Sequence, residues 1–187
     1  LDAITRVDSH ALQLTAGAGT SFAAVQAAAR QIGLDTPIDF AARDSATVGG
    51  AIATNAGGSR VLRYGTMRHQ VVGVEAVLAD GSIVGTLTGL PKETVGLHWP
   101  SLLAGSEGTL AVVTAARLRL VPRFAHVVTA MLSTVTVDDA VDLVGRLRHR
   151  LGSLDSIEII QPEAFDLVAG HLDAPSPVDV VTNGTVL

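Results

Sequence analysis

The chain has no cysteine, few charged residues and no long apolar run, and each absence excludes a class of protein. Without cysteine, the chain can supply no disulfide, thiolate metal site or iron–sulfur cluster. Charged residues are only 17% of the 187 and the net charge is −5, which disfavours a nucleic-acid surface. No run approaches the roughly 18 apolar residues of a membrane span, and the first residues lack a signal-peptide pattern. We expect a soluble, cytoplasmic protein.

The apolar residues that are present are mostly small. Hydrophobic residues form 48% of the chain and the mean hydropathy is +0.42, yet aromatic residues form only 3%. This composition predicts a packed interior and argues against disorder. The length suits one good-sized domain, or one domain with part of a second.

The early part of the chain carries a strand signal followed by a helix signal. Residues 10–17, HALQLTAG, are typical of a strand. Residues 21–32 predict a helix, because Ser21 can cap its start, apolar residues fall on one face and Gly33 can stop it.

A hairpin and a long strand are predicted further along. The dipeptide Asp80-Gly81 is a strong hairpin signal, and residues 110–121 are typical of a strand that ends at Pro122. The pattern of predicted strands and helices changes after Pro122, so we place a domain boundary near residues 122–125. The two predicted domains are residues 1–122 and residues 123–187.

The second domain is predicted to follow a β-α-β-α-β order. Thr136 and Asp139 form the pattern of a capping box at its first helix, and Pro162 opens its second helix. The predicted strands are residues 126–133, 156–160 and 178–187.

The stretch SATVGGAIATNAGG, residues 45–58, concentrates glycine and alanine without a charged side chain. Thr47 can cap a short helix that begins at Val48, with Gly49 and Gly50 in its first turn. Unpaired N–H groups at such a start suit an anion, and glycine lets a phosphate approach closely. The alternative is a close-packed crossover beside a sheet, and the spacing alone leaves both interpretations open.

The end of the same stretch predicts a left-handed turn at Asn55 and the glycines after it. No Walker lysine is present and no G-x-G-x-x-G follows a strand, so two common nucleotide-binding motifs are excluded.

Three segments in this order resemble one family. SATVGGAIATNAGG, LRYGTMRHQVVGVEAVLADGSIV and LLAGSEGTLAVVTAARLRLVP are similar to segments of the vanillyl-alcohol oxidase/p-cresol methylhydroxylase (PCMH) family of FAD-linked oxidoreductases. Their spacing is similar to the branch of D-lactate, glycolate and D-2-hydroxyglutarate dehydrogenases. The resemblance implies an α+β fold, in which a PCMH-type FAD-binding domain with a mixed sheet and flanking helices precedes the start of a ferredoxin-like α+β cap domain.

The resemblance also implies which residues contact the cofactor, FAD. Residues near the diphosphate and ribityl chain would be Ser45, Ala46, Thr47, Gly49 and Gly50. Residues toward the flavin would be Ala53, Thr54 and Asn55, and residues on the adenosine side would be Glu107, Gly108, Val112 and Val113.

Several side chains have a second interpretation. Glu107 can instead form a salt bridge to Arg117 or Arg119. The arginines of SRVLRYGTMRH either form a positive rim for an anionic substrate or belong to a solvated loop with ion pairs. His69 and His98 either contact substrate or flavin or lie in surface loops, and the scattered histidines predict no metal site.

Two family segments are missing from this sequence, namely an upstream glycine-rich phosphate loop and a C-terminal part that carries metal-binding histidines, the catalytic base and substrate-clamping arginines. The chain is therefore expected to be an internal fragment, inactive alone, and its catalytic residues are unknown. A smaller departure is Val95-Gly96-Leu97-His98, where the branch has an asparagine-threonine-glycine-tyrosine stretch.

The function implied is oxidation of a D-2-hydroxy acid by hydride transfer to flavin N5. Electrons would pass to a quinone, an electron-transfer protein or oxygen, and a homodimer is possible. The alternatives are a carbohydrate or aldonolactone oxidase of the same family, and a non-catalytic fragment that lacks full FAD binding.

Overall fold

The computed structural model describes residues 1–175, 178 and 185–187. The chain divides into two compact units, Leu1–Phe124 and Ala125–Leu187. The strands are β1 Ile4–Asp8, β2 Gln13–Gly17, β3 Leu34–Asp35, β4 Val71–Leu78, β5 Ile83–Thr86, β6 Ala111–Arg119, β7 Val121–Pro122, β8 Ser133–Thr134 and β9 Thr185–Val186. The α-helices are α1 Phe22–Gln31, α2 Val48–Ala53, α3 Val61–Tyr64, α4 Trp99–Leu103, α5 Val137–Arg150 and α6 Pro162–Leu172.

A five-stranded sheet in the order β1-β2-β6-β4-β5 organises the first unit. All its neighbouring strands run antiparallel. The parallel pairings that a mixed sheet would add are not found between the strands that the structure describes. Short 3-10 helices cover Ala41–Asp44 and Met67–His69, and none of the described helices could cross a bilayer.

One face of the sheet carries the core. Leu14 and Ala16 of β2 lie opposite Leu118 and Ala116 of β6, and all four side chains are buried. Helices α1 and α2 contribute to the same cluster with the buried residues Phe22, Val25, Ala29, Val48, Ala51 and Ile52. Small side chains on the strands therefore let the helices pack closely on the sheet.

Both helix starts predicted in the first unit are confirmed. Ser21 Oγ accepts a hydrogen bond from the Ala24 amide at 3.2 Å, and Thr47 Oγ1 accepts one from the Gly50 amide at 3.2 Å. These caps satisfy amides that have no partner in the first turn of a helix.

The predicted hairpin is also confirmed, between β4 and β5. Gly81 has a φ of 86°, in the left-handed region that glycine adopts readily. Asp80 Oδ1 accepts a hydrogen bond from the Ser82 amide at 2.9 Å, and this bond is the main reason why the pKa of Asp80 lies below its ordinary value.

The other face of the sheet buries a charge. Arg117 is only 7% exposed; its Nε donates to Gln13 Oε1 and its Nη2 donates to Asp8 Oδ2 at 3.5 Å. Gln13 Nε2 in turn donates to the Gly89 carbonyl at 2.8 Å. The network ties the loop after β5 to the sheet.

In the second unit both predicted helices are confirmed. The Thr136 hydroxyl accepts from the Asp139 amide and the Asp139 carboxylate accepts from the Thr136 amide, each at 3.1 Å, which completes the capping box of α5. Helix α6 begins at Pro162 as predicted.

The strands predicted in the second unit are mostly wrong. In residues 126–133 only Ser133 enters a strand, β8, and Val127 and Val128 are exposed. In residues 156–160 only Ile160 pairs, through a single bridge to Val186. A run of β-branched residues becomes a strand only where another strand supplies hydrogen-bond partners, so composition alone overestimated these strands.

The third predicted strand, residues 178–187, is described in part. Thr185–Val186 form β9, which pairs with β8. Residues 179–184 lie outside the described residues.

Candidate functional site

The end of α2 and the loop after α4 form one surface. The Gly105 amide donates to the Ile52 carbonyl at 3.0 Å and the Glu107 amide donates to the Ala53 carbonyl at 2.9 Å. We call residues 53–55 together with residues 105–108 the candidate surface. The structure thus brings together Ala53, Thr54, Asn55, Glu107 and Gly108, which the sequence assigned to opposite ends of the cofactor.

Two of the four described non-glycine residues with a positive φ lie on this surface. Asn55 and Glu107 have φ values of 50° and 51°, a left-handed conformation that residues with a Cβ rarely adopt. The left-handed turn predicted at Asn55 is therefore confirmed. Such strain is common at binding sites, where the surrounding structure holds it in place.

The carboxylate of Glu107 is exposed on this surface. Arg117 is already bound to Gln13 and Asp8, and Glu107 forms no ion pair or side-chain hydrogen bond within the residues that the structure describes. The alternative of a salt bridge to Arg117 or Arg119 is therefore wrong. The carboxylate is open to accept a hydrogen bond from a ligand.

The amides at the start of α2 are used within the protein. The Val48 amide donates to the Thr20 carbonyl at 2.9 Å and the Gly49 amide donates to the Ala18 carbonyl at 2.8 Å. The Gly50 amide donates to the Thr47 hydroxyl. The prediction that these three N–H groups face a diphosphate is wrong, because the Thr20 and Ala18 carbonyls, just after β2, and the Thr47 hydroxyl already accept their hydrogen bonds.

The segment before α2 shows the same internal pairing. The amides of Ser45 and Ala46 both donate to the Ala42 carbonyl. Thr47 forms an antiparallel bridge with Ser21, so the caps of α1 and α2 lie side by side. The Thr47 amide donates no hydrogen bond within the described part of the chain and is the one N–H group at this turn left for a ligand.

The two glycines of α2 have different surroundings. A Cβ on Gly49 would lie 2.9 Å from the Ala18 Cβ, closer than real contacts, so this glycine serves the close-packed crossover. A Cβ on Gly50 would meet only Thr47 Oγ1, at 3.3 Å. Around Gly108 a Cβ would meet nothing within 4 Å. Gly50 and Gly108 therefore leave uncharged backbone that a flavin nucleotide can approach closely. The amides at the start of α2 do not bind the nucleotide, because they are used within the protein.

The two valines predicted on the adenosine side point to different faces of the sheet. Val112 is 66% exposed and pairs with the half-buried Val77, which pairs in turn with the exposed Ile83, so the three form an apolar row. Val113 pairs with the buried Ala76 and packs against the core. Side-chain contact with a ligand is thus open to Val112 and closed to Val113.

The arginines after the glycine stretch do not form a simple exposed rim. Arg60 is 8% exposed; it donates to the Thr36 carbonyl at 2.5 Å and lies 3.8 Å from the Asp35 carboxylate. Its guanidinium lies 4.8 Å from the Tyr64 ring centroid, and that of Arg63 lies 5.3 Å from the same centroid. The interpretation as a substrate-attracting rim is wrong for Arg60, which stabilises the loop from within.

One of the two histidines considered has a structural role. His98 caps α4: its Nδ1 accepts a hydrogen bond from the Ser101 amide at 3.3 Å and lies 2.7 Å from Ser101 Oγ.

The hydroxyl of Thr20 was not predicted from the sequence to matter. It is buried beside the start of α2 without a hydrogen-bond partner in the described residues. No local pattern marks it, because its burial depends on the contact between β2 and α2.

Comparison with known families gives a domain match over the first part of the chain. Residues 1–86 match a family described as FAD binding domain. These residues contain the glycine stretch and β1 to β5. Residues 1–86 are therefore similar to FAD binding domains, which confirms the resemblance drawn from the glycine stretch.

Curated relatives extend the similarity beyond that domain. The chain is 38% identical over 166 residues to mitochondrial D-2-hydroxyglutarate dehydrogenase of Bos taurus, covering 88% of this chain and 30% of the relative. It is 38% identical over 161 residues to D-lactate dehydrogenase of Archaeoglobus fulgidus, covering 86% of this chain and 36% of the relative. The chain thus spans about a third of the length of these relatives.

A solved structure shows the same fold. Alkyldihydroxyacetonephosphate synthase matches with a TM-score of 0.71 and 21% identity, covering 89% of this chain and 30% of that one. With the family match, this likeness confirms the α+β class and the FAD-binding fold.

Proposed function

We propose that this chain is the FAD-holding part of an oxidoreductase that acts on a D-2-hydroxy acid. The match of residues 1–86 to the FAD binding domain carries the proposal. The names of the relatives, D-2-hydroxyglutarate and D-lactate dehydrogenases, support the substrate class. Bound FAD supplies the ring that takes up two electrons.

The residues proposed to hold FAD follow from what the structure leaves open. The Thr47 amide and the bare backbone of Gly50 suit the diphosphate region, while Thr54 and Asn55 face the surface next to Glu107. The Glu107 carboxylate suits a cofactor hydroxyl. The further proposed contacts are Ser45, Ala46, Gly49, Ala53, Gly108, Val112 and Val113, with that of Val113 made by its backbone because its side chain packs against the core.

The role of this chain is to bind and orient the cofactor, and we propose no catalytic base within it. We propose residues 1–122 as the second subdomain of the FAD-binding domain and residues 123–187 as the beginning of the cap domain. We propose that the electron acceptor is a quinone, an electron-transfer protein or oxygen. We also propose that the protein forms a homodimer. A cytoplasmic location stays a prediction, since several relatives carry mitochondrial names.

A second candidate, a folded piece without turnover, is favoured by one observation. Three of the amides expected to bind the diphosphate are used within the protein. In that case the chain binds FAD weakly or binds only a partner polypeptide.

The test uses the intact polypeptide that contains this chain. The expected result is a yellow protein whose flavin absorbance is bleached by D-2-hydroxyglutarate or D-lactate and not by the L enantiomer. Bleaching by a sugar lactone instead would move the substrate class to the aldonolactone oxidases. A protein that stays colourless after FAD is added would overturn the proposal and leave the non-catalytic piece.

A further inference from the structure

We propose that Arg68 is a positioning residue that locks the loop Gly105–Gly108 onto the end of α2. From the sequence, this arginine belonged either to a positive rim for an anionic substrate or to a solvated loop with ion pairs. The inference rests on the proposed function where it concerns FAD, but the locking itself concerns contacts within the protein.

Arg68 contacts both halves of the candidate surface. Its backbone amide donates to Asn55 Oδ1 at 2.9 Å. Its guanidinium donates through Nη1 to the Ser101 carbonyl and through Nη2 to the Ala104 carbonyl, the latter at 2.5 Å. One residue therefore ties the left-handed turn after α2 to the carbonyl end of α4.

The position of the guanidinium is electrostatically favourable. The last carbonyl groups of a helix lack partners and carry partial negative charge, so a cation there stabilises the helix end. Ala104 is the residue that ends α4 and is buried. Arginine reaches two carbonyl groups at once with its planar fork, which the single ammonium of lysine does not reproduce.

The loop that follows is held closely by this contact. A Cβ on Gly105 would lie 3.3 Å from the Asn55 Cβ and 3.4 Å from Arg68 Nη2. Immediately beyond it, the amides of Gly105 and Glu107 donate to the carbonyls of Ile52 and Ala53. Fixing Ala104 thus fixes the start of the segment that carries Glu107, whose amide bonds to the end of α2.

The first experiment needs no cofactor. In Arg68→Gln, hydrogen exchange at the Gly105 and Glu107 amides should become about tenfold faster or more, as expected when hydrogen bonds from a charged donor are lost. Exchange in β2, β4 and β6 should stay as in the wild type. Arg119→Gln is the matched control, since Arg119 is exposed and its side chain makes no hydrogen bond within the described residues. Arg68→Lys should restore less than half of the lost protection.

Two outcomes of the exchange experiment would overturn the inference. One is unchanged exchange at Gly105 and Glu107 in Arg68→Gln. The other is an equal acceleration throughout the sheet, which would indicate general destabilisation instead of positioning.

The second experiment titrates FAD into the intact polypeptide. Arg68→Gln should weaken FAD binding about tenfold, and Arg119→Gln should not change it. Equal FAD affinity in Arg68→Gln and wild type would overturn the link between the locked loop and the cofactor. A wild-type protein that binds no FAD would overturn the proposed function, while the exchange result would still decide whether Arg68 locks the loop.

Discussion

The two units differ in how far they bury the apolar residues of their helices. In the first unit, α2 places Val48 and Ile52 fully inside the core. In the second unit, α5 buries Ala140 and leaves Val141 56% exposed, and α6 leaves Leu167 75% exposed. Caps and apolar periodicity are present in both units, so these local signals determine where a helix forms, whereas a continuous sheet face determines whether the helix is buried.

The largest contrast is expected from truncating one apolar residue in each unit. Ile52→Ala removes a fully buried side chain and should lower the free energy of unfolding by about 2–5 kcal/mol. Leu167→Ala on the exposed face of α6 should change it by no more than about 0.5 kcal/mol. Urea unfolding followed by circular dichroism measures both, and similar losses in the two variants would contradict the contrast.

A smaller effect is expected from substituting the neighbouring glycines of α2. Gly49→Val forces a branched side chain against Ala18 and should cost about 1–3 kcal/mol of stability. Gly50→Val meets only the Thr47 hydroxyl, at 3.3 Å, and should cost less than about 1 kcal/mol. In the intact polypeptide it should weaken FAD binding by covering open backbone. Thermal unfolding and FAD titration separate the two effects. Unchanged FAD affinity in Gly50→Val would argue against a ligand at this turn.

Removing one cap in each unit gives a further comparison. Thr136→Ala breaks the capping box of α5 and Ser21→Ala removes the cap of α1, each at a cost of about 1 kcal/mol. Because core packing holds α1, only Thr136→Ala should lower the helix content measured by circular dichroism. Thr129→Ala, at an exposed residue outside the helices, is the control. Equal loss of helix content in both cap variants would show that packing does not secure α1.

The smallest effect is a pH dependence in the first unit. The hydrogen bond from the Ala11 amide, with smaller contributions from Arg6 and Arg117 and some opposition from burial, lowers the pKa of Asp8 below its ordinary value. A depressed carboxyl pKa stabilises the fold above about pH 4, and this contribution is lost as the pH falls through the folded-state pKa. Asp8→Asn should therefore make stability less dependent on pH below about pH 4. Acid unfolding curves that coincide for the two proteins would contradict this.

Local signals succeeded where their partners are close in sequence. Ser21 and Thr47 cap helices through amides three residues away, and the Asp80-Gly81 turn joins adjacent strands. The capping box of Thr136 is of the same kind. In each case the physical cause lies within one turn of the chain, so the sequence displays it directly.

Prediction failed where the partner is distant. The amides of Val48 and Gly49 bond to carbonyls of the turn that follows β2, and Arg117 is buried by Gln13 and Asp8 from other strands. Residues 126–133 had suitable composition for a strand, but only Ser133 found a place in one. None of these outcomes follows from neighbouring residues.

By itself, the sequence determined the helix starts, the hairpin, the absence of thiol chemistry and the family resemblance, because each depends on residue identity or short spacing. Only the tertiary structure decided that Gly49 serves packing while Gly50 stays open, and that the Glu107 side chain meets no hydrogen-bond or ion-pair partner among the described residues. The reason is that a hydrogen-bonding group can satisfy either the protein or a ligand, and the fold fixes which of the two it meets.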